Sequence, residues 1–375
     1  MKLSCLQENL NKGLSIVGRA VATRTTLPIT QNILLATDQS RLKLAATNLE
    51  MAITCWIGAK VEDEGAITIP ARILTEFVSS LPTDNIELVL SKDTLQLKSG
   101  RYKATVNGIK ADEFPPFPQV TDGVVTKIEA EAFRNGINQV VFAAATEESR
   151  PVLTGVHADF NDTNLVLAAA DGFRLAVHKM SVLDKVSKAT GIIIPARALN
   201  ELHRFITDQE EPVEVTVNEQ KTQALFRLKN IEMVSQLIQG TFPNYSQLIP
   251  QSYNTRAVID VAEFLRAVKM SSIFARDGSG IVRLVVTPGA DPSPGKMSVS
   301  ARAEEIGDNE GEIDALIDGE KSQIAFNAKY LAEALGAIHQ KQVALETTTS
   351  SSPGVIRPVG VDNYTHVVMP MFVQW

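Results

Sequence analysis

Cysteine is scarce in this chain of 375 residues: there are two, Cys5 and Cys55. Two cannot build a disulfide framework or a thiolate metal cluster, which suits a reducing compartment, and both read as small buried residues. The five histidines, His157, His178, His203, His339 and His366, never fall at the i, i+3 or i+4 spacing of a metal pair. Neither a Gly-x-Ser-x-Gly elbow nor a phosphate loop occurs, and no nucleophile, base and orienting group form a set. No catalysis, cofactor or metal is therefore expected. Asp277-Gly278-Ser279-Gly280 is too short for a nucleotide fingerprint and reads as a polar loop. No window holds the roughly 18 apolar residues of a membrane helix. The start, MKLSCLQENLNKGLSIVG, has no signal-peptide core. A cytoplasmic protein without a membrane partner is expected. Positive charge is also short, with 36 Lys and Arg against 43 Asp and Glu and a net charge of −7. Bulk charge alone argues against nucleic acid.

What the chain does contain is repetition. Ile67–Leu81 (ITIPARILTEFVSSL), Ile192–Ile206 (IIIPARALNELHRFI) and Gln323–Ala337 (QIAFNAKYLAEALGA) each run an apolar strand into an amphipathic helix. One basic residue recurs at a fixed place, as Arg72, Arg197 and Lys329, at offsets of 125 and 132 residues. A repeat of that period predicts one domain used three times, each copy long enough for its own core. The expected boundaries are 1–121, 126–250 and 254–375. Each third opens with a helical pattern: Leu6, Leu10, Leu14, Val17 and Val21; then Phe133, Ile137, Val140, Val141 and Ala144; then Val261, Phe264, Leu265 and Val268. Leu42–Ile57 lines up with Leu165–Met180 as two strands around a polar turn. About two helices and eight strands per third follow.

Pro70 and Pro195 are expected at the first helical position, where the missing N–H costs nothing, and Asn327 as an N-cap in the third copy. Ile73, Leu74, Phe77, Val78 and Leu81 predict one buried stripe; Tyr330, Leu331, Ala334, Leu335 and Ile338 predict another. Glu113–Val120 (EFPPFPQV) and Thr241–Pro250 (TFPNYSQLIP) read as domain ends and stiff linkers, and Thr287–Lys296 as an inserted Gly/Pro loop.

Basic residues gather on the predicted helices. Lys12, Arg19 and Arg24 belong to the first opening helix or its exit, Arg134 to the second. Arg72, Arg197, Arg204 and Lys329 belong to the other helix set. Acids gather in strands and loops: Glu62–Glu64, Asp208–Glu211 and Asp308–Asp318. A solvated helix face explains this as well as a shared basic lining does. With such a lining, phosphate contacts would be blind to sequence and the net charge would be no obstacle. The segment His366–Trp375 (HVVMPMFVQW) has seven apolar side chains besides proline among ten residues. It reads as a core strand or as one wall of an adaptable apolar groove.

Seven segments in order carry a resemblance: Thr26–Ile29, Asn48–Met51, Pro70-Ala71-Arg72, Phe114-Pro115, Asp171-Gly172 with Arg174-Leu175-Ala176, Phe242–Tyr245 and Val367–Met371. Over essentially its whole length the chain resembles the bacterial sliding clamp, the beta subunit of DNA polymerase III. The resemblance implies an α+β fold of three clamp domains per chain. It implies a head-to-tail homodimeric ring, with inner helices and an outer continuous antiparallel sheet. Duplex DNA would pass through the hole, contacted by Lys12, Arg19, Arg24, Arg72, Arg134, Arg197, Arg204 and Lys329.

A partner-peptide groove is implied at Leu153, Gly172, Arg174, Leu175, Pro243 and Leu248, with Asn327, Tyr330 and the strand end Val367, Val368, Met369, Pro370 and Met371. Its implied partners are the polymerase III catalytic subunit, the clamp loader, and other polymerases and repair proteins. Ala104 and Val106 would face Ile273 and Phe274 across the dimer seam. Phe173 stands where the family often has histidine, and Gln247 where it has a basic residue. Phe372–Trp375 replaces a shorter Arg-Leu ending, and Glu147, Pro151 and Val152 replace polar and aromatic DNA contacts. The alternative is a ring-shaped interaction scaffold that does not use DNA.

Overall fold

A computed structural model describes residues 1–147, 149–207, 209–276, 279–290 and 294–374. Asp277 and Gly278 of the polar loop, three residues of the Gly/Pro loop (291–293), Asp208, Glu148 and Trp375 lie outside the described residues.

Among those residues the chain forms six α-helices and 25 strands. The helices are α1 (Gln7–Val17), α2 (Ala71–Ser80), α3 (Ala130–Val140), α4 (Ala196–Ile206), α5 (Val261–Arg276) and α6 (Ala328–Gly336). Each third follows one order: a strand, a helix, four or five strands, a second helix, three strands. The extra strand of the first third is Lys60–Asp63. The predicted helix pairs and strand numbers therefore hold.

The first two opening helices are shorter than their apolar patterns, whereas α5 runs past Val268 to Arg276. Leu6 belongs to a strand and is exposed, and Val21 follows a 3-10 turn after α1. Val141 lies in the 3-10 turn after α3, and Ala144 follows it. The buried stripe of α1 is Leu10, Leu14 and Val17, none of them accessible. A Cβ on Gly13 would come within 2.6 Å of Leu44 Cδ1, so glycine lets α1 lie close on its sheet.

Pro70 and Pro195 are the last residues of strands, one position before the helix. Their strands stay paired through the proline, opposite Asn32 and Gly155. Pairing, not helix entry, fixes the proline, which an edge strand tolerates. Asn327 is an N-cap as expected: its side chain accepts from the N–H groups of Lys329 and Tyr330. Ile73 departs from the predicted stripe and is exposed, while Leu74 and Val78 are fully buried.

The residue two before the proline slot takes a main-chain hydrogen bond in every copy. Ile109 pairs with Thr68, the N–H of Ile238 donates to the carbonyl of Ile193, and that of Met371 to Ala325. The repeat thus extends to the segment after each third's last strand.

The chain gathers into two compact units that do not coincide with the thirds: residues 1–131, 182–188 and 197–237, and residues 132–181, 189–196 and 238–375. The cause is strand pairing across the boundaries of the thirds. In the first unit Ile231–Gln236, which ends the second third, pairs with Met51–Gly58 of the first. That extends an eight-stranded sheet, beside a separate five-stranded one. In the second unit Tyr364–Val368, which ends the chain's last third, pairs with Arg174–Ser181 of the second, inside a twelve-stranded sheet.

Met51–Gly58, Arg174–Ser181 and Gly307–Gly319 are each the third strand after their opening helix. The first two are almost wholly buried; the last is mostly exposed. Among the described residues, positions 307–315 pair only with Gly295–Ala303. The first third's last strand, Tyr102–Asn107, pairs only with Thr94–Ser99.

Both cysteines are buried, and burial pushes the thiol of Cys5 up to about 12 and that of Cys55 up to about 11. They are protonated packing groups at neutral pH.

His178 and His366 are also buried, and the Nδ1 of His178 lies 2.6 Å from Gln139 Oε1. Burial pushes His178 down to about 4. It pushes His366 down to about 3, and the neighbouring Arg174 charge adds to this. In the unfolded chain both titrate near 6.5, so below that pH the unfolded state binds protons the folded state refuses. Stability is full above about pH 6.5 and falls as the pH drops toward 4, by about 1.4 kcal/mol per pH unit for each histidine. The thermal midpoint should fall between pH 7 and pH 5, and His178→Gln should remove about half of that slope. An unchanged pH profile in the variant would exclude His178 as a source.

Candidate functional site

Among the exposed cations of the first unit, one group lies on or just after its helices. Lys12, Arg19, Arg24, Arg72, Arg197 and Arg204 are all solvent-accessible. In the second unit Arg134 is half-buried on α3 and Lys329 is exposed on α6. Several of these cations already have carboxylate partners. Arg72 Nε lies 2.9 Å from Glu76, and Lys329 Nζ lies 3.9 Å from Glu333. Arg19 and Arg204 share Glu201, each Nε at 3.8 Å. Exposed pairs of this kind are worth about 0–1 kcal/mol, so a phosphate can replace the carboxylate.

The second unit carries a more constructed site. The turn Asp171-Gly172-Phe173 is closed by Asp171 Oδ1, which accepts from the N–H groups of Phe173 (2.9 Å) and Arg174 (3.0 Å). Gly172 has φ +94°. Arg174 is buried and fully engaged. Its Nε donates to Asp171 Oδ2 at 3.0 Å and its terminal nitrogens donate to Glu333 and to the carbonyl of Phe142. Its guanidinium lies 4.3 Å from the Tyr330 ring centroid and 5.4 Å from that of Phe142. Such contacts hold a flat cation in one orientation.

Beside it opens a cleft of about 180 Å³ lined by Glu147, Arg150, Phe173, Arg174, Lys329 and Tyr330, among others. Next to that turn lies an apolar floor. Leu175 and Val367 belong to a buried cluster with Ala168, Ala170, Val177 and Val355, on which Phe242, Tyr245 and Ile249 pack. Phe242 also stacks on His157, with ring centroids 5.3 Å apart.

The last strand is pinned at its exit. The N–H of Met369 donates to the carbonyl of Phe173 and that of Met371 to Ala325, both at 2.8 Å. Met369, Leu248, Phe173 and Phe372 stay exposed, by 42%, 55%, 58% and 87%. Exposed apolar side chains grouped in this way mark a surface for another molecule.

Most expected groove residues therefore occur in the second unit around this cleft and floor. Leu153 is buried in the 3-10 turn Pro151–Thr154, Leu175 and Val367 are buried in the floor, and Val368 is buried in the sheet with no accessible surface. Pro243 and Leu248 are exposed, and Pro370, Met371, Asn327 and Tyr330 are half-buried. Sequence reasoning missed Glu333 and Phe142 as partners of Arg174, and placed Phe242, Tyr245 and Ile249 in a stiff linker without their packing on the apolar floor. For Glu333 a signal existed: it lies four residues after Lys329, one turn along α6. Of the seam residues, Ile273 is 58% exposed, Phe274 and Ala104 are half-buried, and Val106 is buried.

A threefold α+β unit, cationic helices and a cleft walled by arginine and aromatic rings beside an apolar floor define a binding protein built from repeated domains. The chain belongs to the family of the DNA polymerase III beta subunit, the bacterial sliding clamp. The family's models match its N-terminal domain at residues 1–118, its central domain at 127–244 and its C-terminal domain at 246–372. It is 34% identical to the beta sliding clamp of Synechococcus elongatus over 377 residues, and 30% identical to that of Bacillus subtilis over 382; each comparison covers 99% of both chains. It is similar to the crystal structure of the Bacillus subtilis DNA polymerase sliding clamp, with TM-score 0.93, 29% identity and full coverage of both chains. A Pseudomonas aeruginosa sliding clamp bound to griselimycin matches with TM-score 0.91 and 27% identity, again over both full chains. No helix among the described residues is long and apolar enough to cross a membrane.

Proposed function

We propose that two copies of this chain join head to tail into a ring around duplex DNA, and that the ring holds DNA polymerase III on its template without reading sequence. It acts in the cytoplasm without catalysis, cofactor or metal of its own. Its three clamp domains span residues 1–121, 126–250 and 254–375. The observation that carries the proposal is the pair of unfilled strand edges on a chain whose whole length matches the clamp family.

Twice in the chain, the last strand of one third pairs with the edge of the strand that stands third after the opening helix of the preceding third. The remaining donor, Tyr102–Asn107, and the remaining acceptor, around residues 307–315, would meet in a second copy. Their charges suit each other: Arg101, Lys103 and Lys110 flank or lie on one, while Asp308, Glu310, Glu312 and Asp314 lie on the other. Ile273 and Phe274, with Ala104 and Val106, supply the apolar part of the seam. Two such seams close a dimer and leave neither edge open.

The cations Lys12, Arg19, Arg24, Arg72, Arg134, Arg197, Arg204 and Lys329 supply phosphate contacts. The cleft and floor around Arg174 take short apolar peptides from the polymerase catalytic subunit, the clamp loader, and other polymerases and repair proteins. Retention after loading tests the ring. The protein should stay on closed circular DNA and leave linear DNA rapidly; equal retention on both would sink the proposal.

A DNA-independent scaffold has one observation in its favour, the carboxylates already sitting on Arg19, Arg72, Arg204 and Lys329. Reversing Arg24, Arg72 and Arg197 together to glutamate separates the two. The clamp loses at least tenfold in stimulation of DNA synthesis and about 2.7 in its salt slope, about 0.9 per phosphate contact. The scaffold loses neither.

A further inference from the structure

The repeat carries a second fixed position. Four residues after Arg72, Arg197 and Lys329 stand Glu76, Glu201 and Glu333. Helix stability does not explain this spacing. A glutamate that follows its cation by four residues is the weaker order; the stronger has the glutamate first. Nor do the three carboxylates treat their own helix cation alike. Glu76 pairs with Arg72 at 2.9 Å. Glu333 reaches Lys329 at 3.9 Å and also binds Arg174 of the preceding third. Glu201 pairs with Arg204 and, across the boundary of the thirds, with Arg19; no pair with Arg197 occurs among the described residues.

Glu201 is the most telling copy. Its side chain is only 15% exposed, and its Oε2 is buried without a hydrogen-bond partner. A carboxylate so placed is costly unless cations compensate it, and the two guanidinium groups do so from 3.8 Å. What the three copies share is therefore one outcome: each sets a negative charge against cations assigned to the DNA side.

We infer that the repeated glutamates are an electrostatic brake on DNA binding. They are positioning residues that neutralise part of the cationic surface, so that a clamp encloses the duplex without adhering to its phosphates. The inference rests on the DNA-binding function proposed above. A cation already paired within the protein neutralises less phosphate charge and so releases fewer of the counterions condensed on DNA, which lowers both affinity and its dependence on salt. Sliding needs such weak contacts, because retention comes from closure of the ring.

The test is the affinity of the full-length protein for a short linear duplex between 50 and 200 mM salt. The variants are Glu76→Gln with Glu201→Gln; Glu333 is left intact because it also holds Arg174. The double variant frees Arg72, Arg19 and Arg204. It should bind at least tenfold tighter at the lowest salt, with a slope steeper by up to about 2.7. Glu76→Asp with Glu201→Asp, which keeps the charges, should stay near the original slope. Should Glu201→Gln fail to fold, exposed Glu76→Gln alone should still steepen the slope by up to about 0.9.

An unchanged slope in the glutamine variants overturns the brake, and so does an equal change in the aspartate pair, which would mark a packing effect. Arg72→Ala with Arg204→Ala distinguishes the underlying function. If that variant weakens binding while the glutamine variants do nothing, the brake alone fails. If none of them changes binding, the DNA contacts proposed for these cations fail with it.

Discussion

Ile273→Asp combined with Thr105→Pro, whose N–H faces away from the neighbouring strand, is expected to turn the dimer into a folded monomer of 40.7 kDa. Both positions are at least partly accessible in the single chain, with Ile273 58% exposed, so the fold of each unit should survive. Proline removes a main-chain donor from the edge strand, and aspartate puts a charge where an apolar side chain would be buried. Together they should cost about 3–5 kcal/mol per seam, roughly a 150- to 5,000-fold loss of affinity at each seam. Two seams share the damage in a closed ring, so retention on circular DNA should disappear. Molar mass in solution across a dilution series reads the result directly. A dimer that persists at nanomolar concentration with both substitutions would mean that the seam lies elsewhere.

Deleting Met369–Trp375 is the second large effect. The deletion removes the two main-chain bonds from Met369 to Phe173 and from Met371 to Ala325. It also removes the exposed side chains of Met369 and Phe372. It leaves Val367 and Val368, which are buried and complete the sheet. Peptide affinity should fall at least a hundredfold, about 2.7 kcal/mol, because anchor side chains near the centre of a small interface carry most of its energy. The dimer should persist, because the proposed seam uses other strands. Fluorescence anisotropy with a clamp-binding peptide measures the first quantity and molar mass the second. Undiminished peptide binding would remove this surface from the groove. Loss of the dimer alongside would show that the tail supports the fold instead.

Much of the fold was legible because it repeats. One strand–helix segment seen three times predicted the domain plan, the helix pairs and Asn327 as a cap, since local spacing and capping chemistry act over a few residues. The errors were local too. Apolar periodicity over-ran α1 at Leu6 and Val21, because a strand and a 3-10 turn can continue a helical pattern of burial. Ile73 looked like core by spacing alone, yet it stays exposed on α2. The prolines were misplaced by one residue because their strands pair through them.

The candidate site was legible in part. The family resemblance supplied Arg174 and Tyr330, and Asp171 in a matched segment, but not Phe142 and Glu333, which complete the set that fixes Arg174. No spacing rule joins residue 142 to residue 333. The aromatic linker Phe242–Tyr245 read as a stiff connection because proline and aromatics punctuate a chain. Its packing on Leu175 and Val367 depends on strands from two different thirds.

The amino-acid sequence by itself determined the period, the repeated cation, the glutamate four residues beyond it and the scarcity of reactive groups. These are properties of order along the chain, and helical and strand periodicity translate them without reference to distant residues. Tertiary structure decided which cations are neutralised, which strand edges stay open and which side chains surround Arg174. Those depend on pairings between residues tens to hundreds of positions apart, such as Arg19 with Glu201 and Arg174 with Glu333. Burial there sets the worth of each charge, and no linear pattern encodes burial.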